Sequence, residues 1–294
     1  MYMVAMTTGS LFITGIAANA YSAKLASQML GIKINWSVWA IGAIPGYLGL
    51  LFIPWFILKV FPPEIKSLES IRESFGIKLK EMGPVTRREW AALLVFAVVL
   101  VLWATGSRTH IDATAVGFVG LALMFIFHVV EWKDVAEGKE IWSTMIWFGI
   151  IIGFSSALAK VKFFIWLAAM LKAWLPSQGL SPFTVLVIIA VLVNLTHYLF
   201  ASTMGYIAAL APVFYSFVLT TNAPRYPAAF LVMFLMITSS SLTHYGNIVG
   251  PMLFAREYVS KKTWWGIGLM VATFHTVVYL TIGLAFWKWI GFWN

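Results

Sequence analysis

Long apolar stretches alternate with short polar segments along the whole chain. A helix needs about 20 apolar residues to cross a bilayer, and stretches near that length occur at residues 2–30, 36–60, 90–106, 112–130, 141–158, 230–255 and 264–293. Two shorter apolar stretches, residues 183–200 and 205–220, are separated by only four residues. We predict that they form a re-entrant hairpin, at about residues 183–220, rather than two marginal crossings.

The stretch at residues 230–255 is interrupted in its middle by hydroxyls, an imidazole, an amide, two glycines and a proline. The interruption reads Ser239-Ser240-Ser241-Leu242-Thr243-His244-Tyr245-Gly246-Asn247-Ile248-Val249-Gly250-Pro251. Lipid offers no partner for the backbone groups that such a break frees, so it is tolerated only where it lines a cavity. The pattern therefore predicts a transporter binding site on a discontinuous helix.

A weaker copy of this interruption lies near the beginning of the chain. When residues 10–20 are written above residues 241–251, a Ser-Leu pair and one glycine coincide, and a tryptophan-led span follows each segment. Three identities are weak evidence alone, but two broken helices in corresponding halves are typical of an inverted-repeat transporter. We therefore predict that residues 1–60 end a first repeat and that residues 90–294 form a second.

Residues 61–89 form the one extended polar segment, which is dense in charge and opens with Pro62-Pro63. We predict a cytoplasmic linker that contains a helix. With the linker inside, basic residues show a modest bias to the inner side, as the positive-inside rule requires. The second repeat then contains scaffold spans, an interfacial helix at residues 160–175, the hairpin, the broken helix and the last span.

Composition agrees with a membrane protein. Hydrophobic residues make up 61% of the chain and charged residues 11%, which is outside the range of soluble domains. The net charge of +9 comes from basic residues in the loops, so it follows membrane topology and gives no reason to expect a nucleic-acid partner. The absence of cysteine excludes disulfides and thiolate metal sites.

None of the eleven acidic residues lies deep in an apolar stretch; they are Glu64, Glu69, Glu73, Glu81, Glu89, Asp112, Glu131, Asp134, Glu137, Glu140 and Glu257. A proton relay or a cation pump ordinarily places a carboxylate there. An anion site instead uses helix N-termini and neutral donors. Such donors are supplied by Ser202, Thr203, Thr243 and Asn247.

Several polar residues also have structural explanations. Ser239, Ser240 and Ser241 are equally well explained by bonds back to carbonyls of the preceding turn. We expect His197 and His244 to be packed, hydrogen-bonded side chains rather than metal ligands. His110, His128 and His275 are interpreted as structural residues. Asn19 is the exception, since an amide at that depth is better explained by function.

Four segments carry a family resemblance: Ser241-Leu242-Thr243-His244-Tyr245-Gly246, His197-Tyr198-Leu199-Phe200-Ala201-Ser202, Leu11-Phe12-Ile13-Thr14-Gly15-Ile16-Ala17-Ala18-Asn19, and Lys262-Thr263-Trp264-Trp265. Together they resemble the divalent anion:sodium symporter family. The similarity is to its branch of 2-oxoglutarate/malate translocators and citrate or tartrate/succinate exchangers. The chain looks like an N-terminally truncated member that has the C-terminal part only. We expect the DNA upstream to continue in frame and to contain the first hairpin.

The resemblance implies an elevator-type carrier of dicarboxylates or tricarboxylates that works as a homodimer. In the family each repeat contributes a hairpin tipped with Ser-Asn-Thr and a broken helix that faces it. Here the tip reads Ser202-Thr203-Met204, and Asn247-Ile248-Val249-Gly250-Pro251 departs from the exchanger pattern Thr-Gly-Pro-Ala-Pro. The implied substrate contacts are Ser202, Thr203, Thr243, Asn247, Pro251, Thr14 and Asn19, and the implied sodium ligands are Gly15, Gly246 and Ser202.

The predicted fold is thus an all-α polytopic membrane protein, an inverted-repeat transporter with a re-entrant hairpin and broken helices. We predict secondary transport of malate-, 2-oxoglutarate-, succinate- or citrate-type anions by exchange or sodium symport, in a multi-pass protein of the bacterial inner membrane. We expect no catalytic activity and no cofactor other than sodium as a coupling ion. Three alternatives are a transporter of another anion such as sulfate, a membrane enzyme with a metal at His197 and His244, and a nonfunctional fragment.

Overall fold

The computed structural model describes the chain except residues 63–68, 110, 139–141, 143–144, 147–149, 151–152, 154–156, 159, 164–165, 167–168, 171–178 and 294. Every regular element in the described residues is a helix, which confirms the predicted all-α class. The predicted helices at residues 141–158 and 160–175 lie largely outside the described residues, and so does His110. The chain forms two compact units, one of Met1–Pro54 with Trp147–Asn294 and one of Trp55–Ile146.

The α-helices of five or more described residues are numbered in chain order. They are α1 (Tyr2–Leu11), α2 (Ala17–Leu30), α3 (Trp36–Gly42), α4 (Leu48–Val60), α5 (Glu69–Met82), α6 (Arg87–Thr109), α7 (Ala113–Ile126), α8 (Trp132–Ala136), α9 (Pro182–His197), α10 (Thr203–Leu219), α11 (Arg225–Thr238), α12 (Val249–Phe254), α13 (Lys261–Val278) and α14 (Leu284–Trp289). One π-helical turn, Tyr279–Gly283, joins α13 to α14. The last predicted span is therefore continuous.

By length and composition, three described helical segments can cross a membrane: Arg87–Gly106, Arg225–Leu242 and Lys261–Trp289. A fourth candidate is the pair Trp36–Gly42 and Ile44–Val60, which is bent by 53° at a short break. Pro45 lies in the 3₁₀ turn at this bend and Pro54 lies inside α4. The span at residues 36–60 is thus kinked where proline is expected to kink it.

Helix α11 is the centre of the first unit. It packs against α1, α2, α9, α10 and α13, and its residues from Ala228 to Ile237 are at most 1% exposed. A helix that is apolar on all sides is stable only when protein or lipid surrounds it. Stacked rings continue from Phe230 and Phe234 to Tyr279 and Trp287, so α11 is held against the last span.

Two buried indoles bond to carbonyls at helix ends in the first unit. Trp287 Nε1 donates to the carbonyl of Gly42 at 2.9 Å, and Trp39 Nε1 donates to that of Ser10 at 3.1 Å. Carbonyls in the last turn of a helix have no partner within the helix, and in a buried place they must find one elsewhere. The indoles therefore connect the N-terminal helices to each other and to the last span.

The second unit contains the polar linker and the helices that follow it. The predicted linker helix is α5. Helices α6 and α7 pack through Val95, Val99 and Val116. A Cβ at Gly120 would lie 2.7 Å from Val99 Cγ2, so this glycine permits the close approach of the two helices.

Helix α7 of the same unit is capped by Asp112, and the unit has a broad apolar surface. Asp112 Oδ1 accepts hydrogen bonds from the backbone N–H groups of Thr114 and Ala115. These bonds hold the pKa of the Asp112 carboxyl below its usual range, because they favour the charged form. On α6 and α7, large apolar side chains such as Phe96 and Phe118 are exposed, as expected of a surface that faces lipid.

We predict that Trp287→Phe lowers the stability of the first unit by about 1–3 kcal/mol, since the Gly42 carbonyl would be left buried without a partner. The matched control is Trp289→Phe, because Trp289 lies in the same helix and is 81% exposed. Thermal unfolding in detergent checks this expectation. Equal unfolding temperatures for the two variants would show that the Trp287 bond contributes nothing.

Candidate functional site

The predicted break in the second repeat is present. Helix α11 ends at Thr238 and one 3₁₀ turn, Ser239–Leu242, follows it. The chain is then not helical until α12 begins at Val249. Breaking the helix frees the carbonyl of Ser240, which accepts a hydrogen bond from the Tyr2 hydroxyl of α1 at 2.9 Å.

Two of the three serines at this break, Ser239 and Ser240, make the backbone bonds of the structural explanation, and Ser241 does not. The hydroxyls of Ser239 and Ser240 donate to the carbonyls of Met236 and Ile237 in the preceding turn. Ser241 is also fully buried, and in the described part of the chain its hydroxyl has no hydrogen-bond partner. All three side chains are enclosed by protein.

The tip of the predicted hairpin lies directly against this break. Helices α9 and α10 are joined by residues 198–202, and Ser202 caps α10 by accepting from the backbone N–H of Gly205. The hydroxyl of Thr203 donates to the carbonyl of Gly246 at 3.2 Å. The structure therefore brings together two predicted site residues that are far apart in sequence.

Asn247 lies at the same break, but its side chain has structural partners. Its Oδ1 accepts from the backbone N–H groups of Val249 and Gly250 at 2.9 and 2.8 Å, and its Nδ2 lies 2.8 Å from the sulfur of Met6. The amide thus holds the restart of the helix and contacts α1. Its predicted contact with a substrate stays a prediction.

The N-terminal apolar segment is also broken where the sequence predicts a break. Helix α1 ends at Leu11 and α2 begins at Ala17. Asn19 Nδ2 donates to the carbonyls of Gly9 and Phe12, both at 2.7 Å. The functional interpretation of Asn19 therefore missed its structural role, in which the buried amide binds carbonyls that the break has freed.

Three of the remaining candidate residues, two at the first break and one at the second, are exposed. Thr14 and Gly15 are exposed, and Pro251 on α12 is exposed as well. Helix α2 begins without a hydrogen bond from a capping side chain. The positive end of its dipole therefore lies at the break, where it favours an anion.

The two breaks share one tight backbone contact. A Cβ on Gly15 would lie 2.5 Å from the carbonyl oxygen of Gly9, and a Cβ on Gly246 would lie 2.7 Å from that of Ser240. In both cases the contacted residue is six positions earlier. This equivalence supports the weak alignment of residues 10–20 with 241–251, and it explains why glycine occupies both places.

His197 and Thr243 pack closely against Gly246. The position of a Cβ on Gly246 is 2.5 Å from His197 Nε2 and 3.0 Å from Thr243 Oγ1. Both side chains are completely buried. Among the described residues, the two imidazole nitrogens and the Thr243 hydroxyl have no hydrogen-bond partner. The prediction that His197 is hydrogen-bonded is therefore wrong. The ring, at the end of α9, packs against Gly246 instead.

His244 has a different environment from His197. Its Nδ1 accepts from Trp265 Nε1 at 3.1 Å, and its ring packs on Phe254. His275 bonds to the carbonyl of Val271 and to Thr7. Among the described residues, no three histidine or acidic side chains lie close enough to hold a metal ion.

Several residues at the site were not singled out from the sequence. Tyr2 and Met6 contact the second break from α1. Trp265 binds His244 from α13. Only Trp265 carried a signal in the sequence, as part of the Lys262-Thr263-Trp264-Trp265 segment.

A discontinuous helix, a hairpin tip that contacts its break, and a second broken helix are features that recur in membrane transporters built from inverted repeats. Residues 1–293 match the family described as the sodium:sulfate symporter transmembrane region. The chain belongs to this family, which is the one that its sequence resembles. It is thus a multi-pass integral membrane protein of a transporter family and not of an enzyme family.

Several relatives are similar over nearly the whole of this chain. Inner membrane protein YbhI of Escherichia coli K12 is 36% identical over 100% of this chain and 61% of its own length. The putative malate transporter YflS of Bacillus subtilis is 35% identical, over 98% of this chain and 60% of its own length. The citrate/succinate antiporter of Escherichia coli K12 is 30% identical over 100% of this chain and 60% of its own length. The chain therefore spans about three-fifths of the length of these relatives.

We predict that Gly246→Ala disrupts the second break, because the new methyl group would overlap the Ser240 carbonyl. Gly266→Ala is the matched control, since a Cβ there meets nothing within 4 Å. The Gly246 variant should lose about 1–3 kcal/mol of stability, as overpacked sites do, whereas the control should be neutral. Thermal unfolding in detergent measures both, and unchanged stability of Gly246→Ala would contradict the close contact.

Proposed function

We propose that the protein containing this chain transports small organic dicarboxylates or tricarboxylates, by exchange or together with sodium. The observation that carries this proposal is the contact of the Thr203 hydroxyl with the Gly246 carbonyl, which places the hairpin tip against the broken helix. Supporting it, two relatives are named as a putative malate transporter and a citrate/succinate antiporter.

The donors around the breaks suit an anion. Ser202 is exposed at the N-terminus of α10 and already accepts one bond, so its own hydroxyl hydrogen can go to a carboxylate. At the first break the uncapped start of α2 follows the exposed Thr14. We assign substrate contacts to the residues proposed from the sequence: Ser202, Thr203, Thr243, Asn247, Pro251, Thr14 and Asn19.

We assign the coupling ion, where one is used, to oxygens at the breaks. The Gly246 carbonyl, which also accepts a hydrogen bond from the Thr203 hydroxyl at 3.2 Å, is one candidate ligand, since hard cations bind oxygen. By the family pattern, the carbonyl of Gly15 and the hydroxyl of Ser202 complete the candidate set. Sodium here is cargo that moves with the substrate.

The wider features of the carrier also belong to this proposal. We infer a homodimer that carries its substrate by an elevator movement, with residues 1–60 and 90–294 belonging to two inverted repeats. A bacterial inner membrane is its proposed location, supported by the name of the relative YbhI. Sulfate is the second candidate substrate, because the description of the matched family names it.

Uptake into proteoliposomes of the whole protein tests the function. We expect labelled malate, 2-oxoglutarate, succinate or citrate to accumulate when the vesicles contain an exchangeable dicarboxylate or when a sodium gradient is applied. Excess unlabelled sulfate should not compete. Transport of none of these carboxylates would contradict the proposal, and competition by sulfate alone would favour the second candidate.

We predict that Thr203→Val lowers the rate of carboxylate transport by about tenfold, which corresponds to the loss of one hydrogen bond of about 1.4 kcal/mol. The control is Thr281→Val, since Thr281 is exposed on the last span and its hydroxyl donates to the carbonyl of Val277 one turn earlier. Initial uptake rates at equal reconstituted amounts compare the two. A Thr203 variant as active as the control would remove this residue from the site.

A further inference from the structure

Three exposed cations of the first unit each lie at the end of a candidate membrane span. Lys33 shortly precedes the span that begins at Trp36, Arg225 is the first residue of α11, and Lys288 is next to Trp289, where the last span ends. The ends of membrane spans lie at the level of the lipid headgroups. These cations are therefore placed where headgroups can reach them, and we call the three residues the cationic end.

Side-chain contacts bring the three span ends together. Arg225 donates to the carbonyl of Leu30, the last residue of α2, at 2.9 Å. The ring of Tyr226 stacks on that of Phe292 with centroids 4.9 Å apart, and its hydroxyl lies 3.4 Å from the backbone nitrogen of Lys33. One tyrosine thus contacts both the segment that carries Lys33 and the segment that follows the last span.

The first unit supplies almost no negative charge to pair with these cations. Of the eleven acidic residues of the chain, only Glu257 falls within its sequence ranges. Glu257 lies just before α13, at the opposite end of the last span from Lys288. Both ion pairs among the described residues belong to the second unit. The first unit therefore leaves the cationic end without a counter-charge of its own.

The cationic end has donors to spare and aromatic rings beside them. Arg225 gives one N–H to the Leu30 carbonyl, and a guanidinium has several more. Lys288 Nζ lies over the ring of Trp293, 5.9 Å from its centroid, and Trp289 is 81% exposed. Phosphate oxygens are the acceptors that guanidinium and ammonium groups bind well. Exposed tryptophans are typical of the interface between lipid and water, so the combination suits a lipid phosphate.

The cationic end is well separated from the proposed substrate contacts. Helix α11 runs from Arg225 to Thr238, where the second break begins. At a rise of 1.5 Å per residue, this helix is about 20 Å long. A lipid at one end of α11 and a carboxylate at the other would therefore not compete for the same side chains.

We propose that Lys33, Arg225 and Lys288 bind the phosphate of an anionic phospholipid at the membrane surface. The phosphate oxygens accept hydrogen bonds from the guanidinium and the ammonium groups, and the rings of Trp289 and Trp293 lie at the headgroup level. A zwitterionic headgroup fits less well, because it brings a cation for which the first unit has no acidic partner at this end. The site goes beyond the proposed transport function and does not depend on which anion is carried.

Native mass spectrometry of the purified whole protein in detergent tests this site. Phosphatidylglycerol and phosphatidylcholine with the same acyl chains are added separately, and the fraction of protein with bound lipid gives each affinity. We expect phosphatidylglycerol to bind the wild type at least tenfold more tightly, since basic residues at a membrane surface attract anionic lipids.

The variant pair Lys33→Gln and Arg225→Gln, made together, removes two charges, while glutamine at position 225 can still donate to the Leu30 carbonyl. We expect affinity for phosphatidylglycerol to fall roughly 20-fold, and roughly fivefold for Lys33→Gln alone. Affinity for phosphatidylcholine should change little. The matched control is Lys261→Gln with Lys262→Gln, which removes two exposed charges from the opposite end of the last span and should keep the wild-type preference.

The single variant Lys33→Gln keeps the test decisive if the double variant does not fold, because it leaves the Arg225 bond to α2 in place. Equal affinity of the wild type for the two lipids would overturn the proposal. So would equal losses in the Lys33 variant and in the control. Displacement of phosphatidylglycerol by an equal concentration of inorganic phosphate would show a site for a free ion and would also overturn it. Carboxylate uptake is measured separately, so its failure with lipid binding intact would contradict the proposed function alone.

Discussion

A helix that is broken inside a membrane leaves carbonyl and N–H groups that lipid cannot satisfy, and this constraint organises the first unit. At the first break, Asn19 binds the carbonyls of Gly9 and Phe12. At the second, Tyr2 binds the carbonyl of Ser240, and Thr203 binds that of Gly246. Side chains from other segments thus replace the missing helical bonds.

These replacements explain why the site is built from neutral groups. Hydroxyls and amides satisfy single carbonyls without bringing a full charge into the membrane, which would be costly. The same groups are donors, so those not fully used, such as the Ser202 hydroxyl, remain available to a carboxylate. The helix breaks and the chemistry of anion binding are therefore two consequences of one requirement.

The sequence predicted the elements well because apolar length and interruptions are local signals. Both breaks, the short hairpin arms and the helix in the linker lie close to their predicted positions. The roles of individual side chains were harder to predict, because they depend on which distant segments meet. Asn247 touches Met6 of α1, and His197 lies against a glycine of another segment. Neither contact has a signature in the local pattern.

The central claim is that the hairpin tip and the second break together hold a carboxylate. This chain contains no cysteine. A cysteine introduced by Ser202→Cys is therefore the single thiol of this chain that a maleimide can label. The most direct test is the rate at which a maleimide labels that cysteine in reconstituted protein, with and without saturating malate. The account predicts marked protection by malate at position 202 and none for Thr281→Cys on the last span. Equal labelling rates at position 202 with and without every carboxylate tested would contradict it.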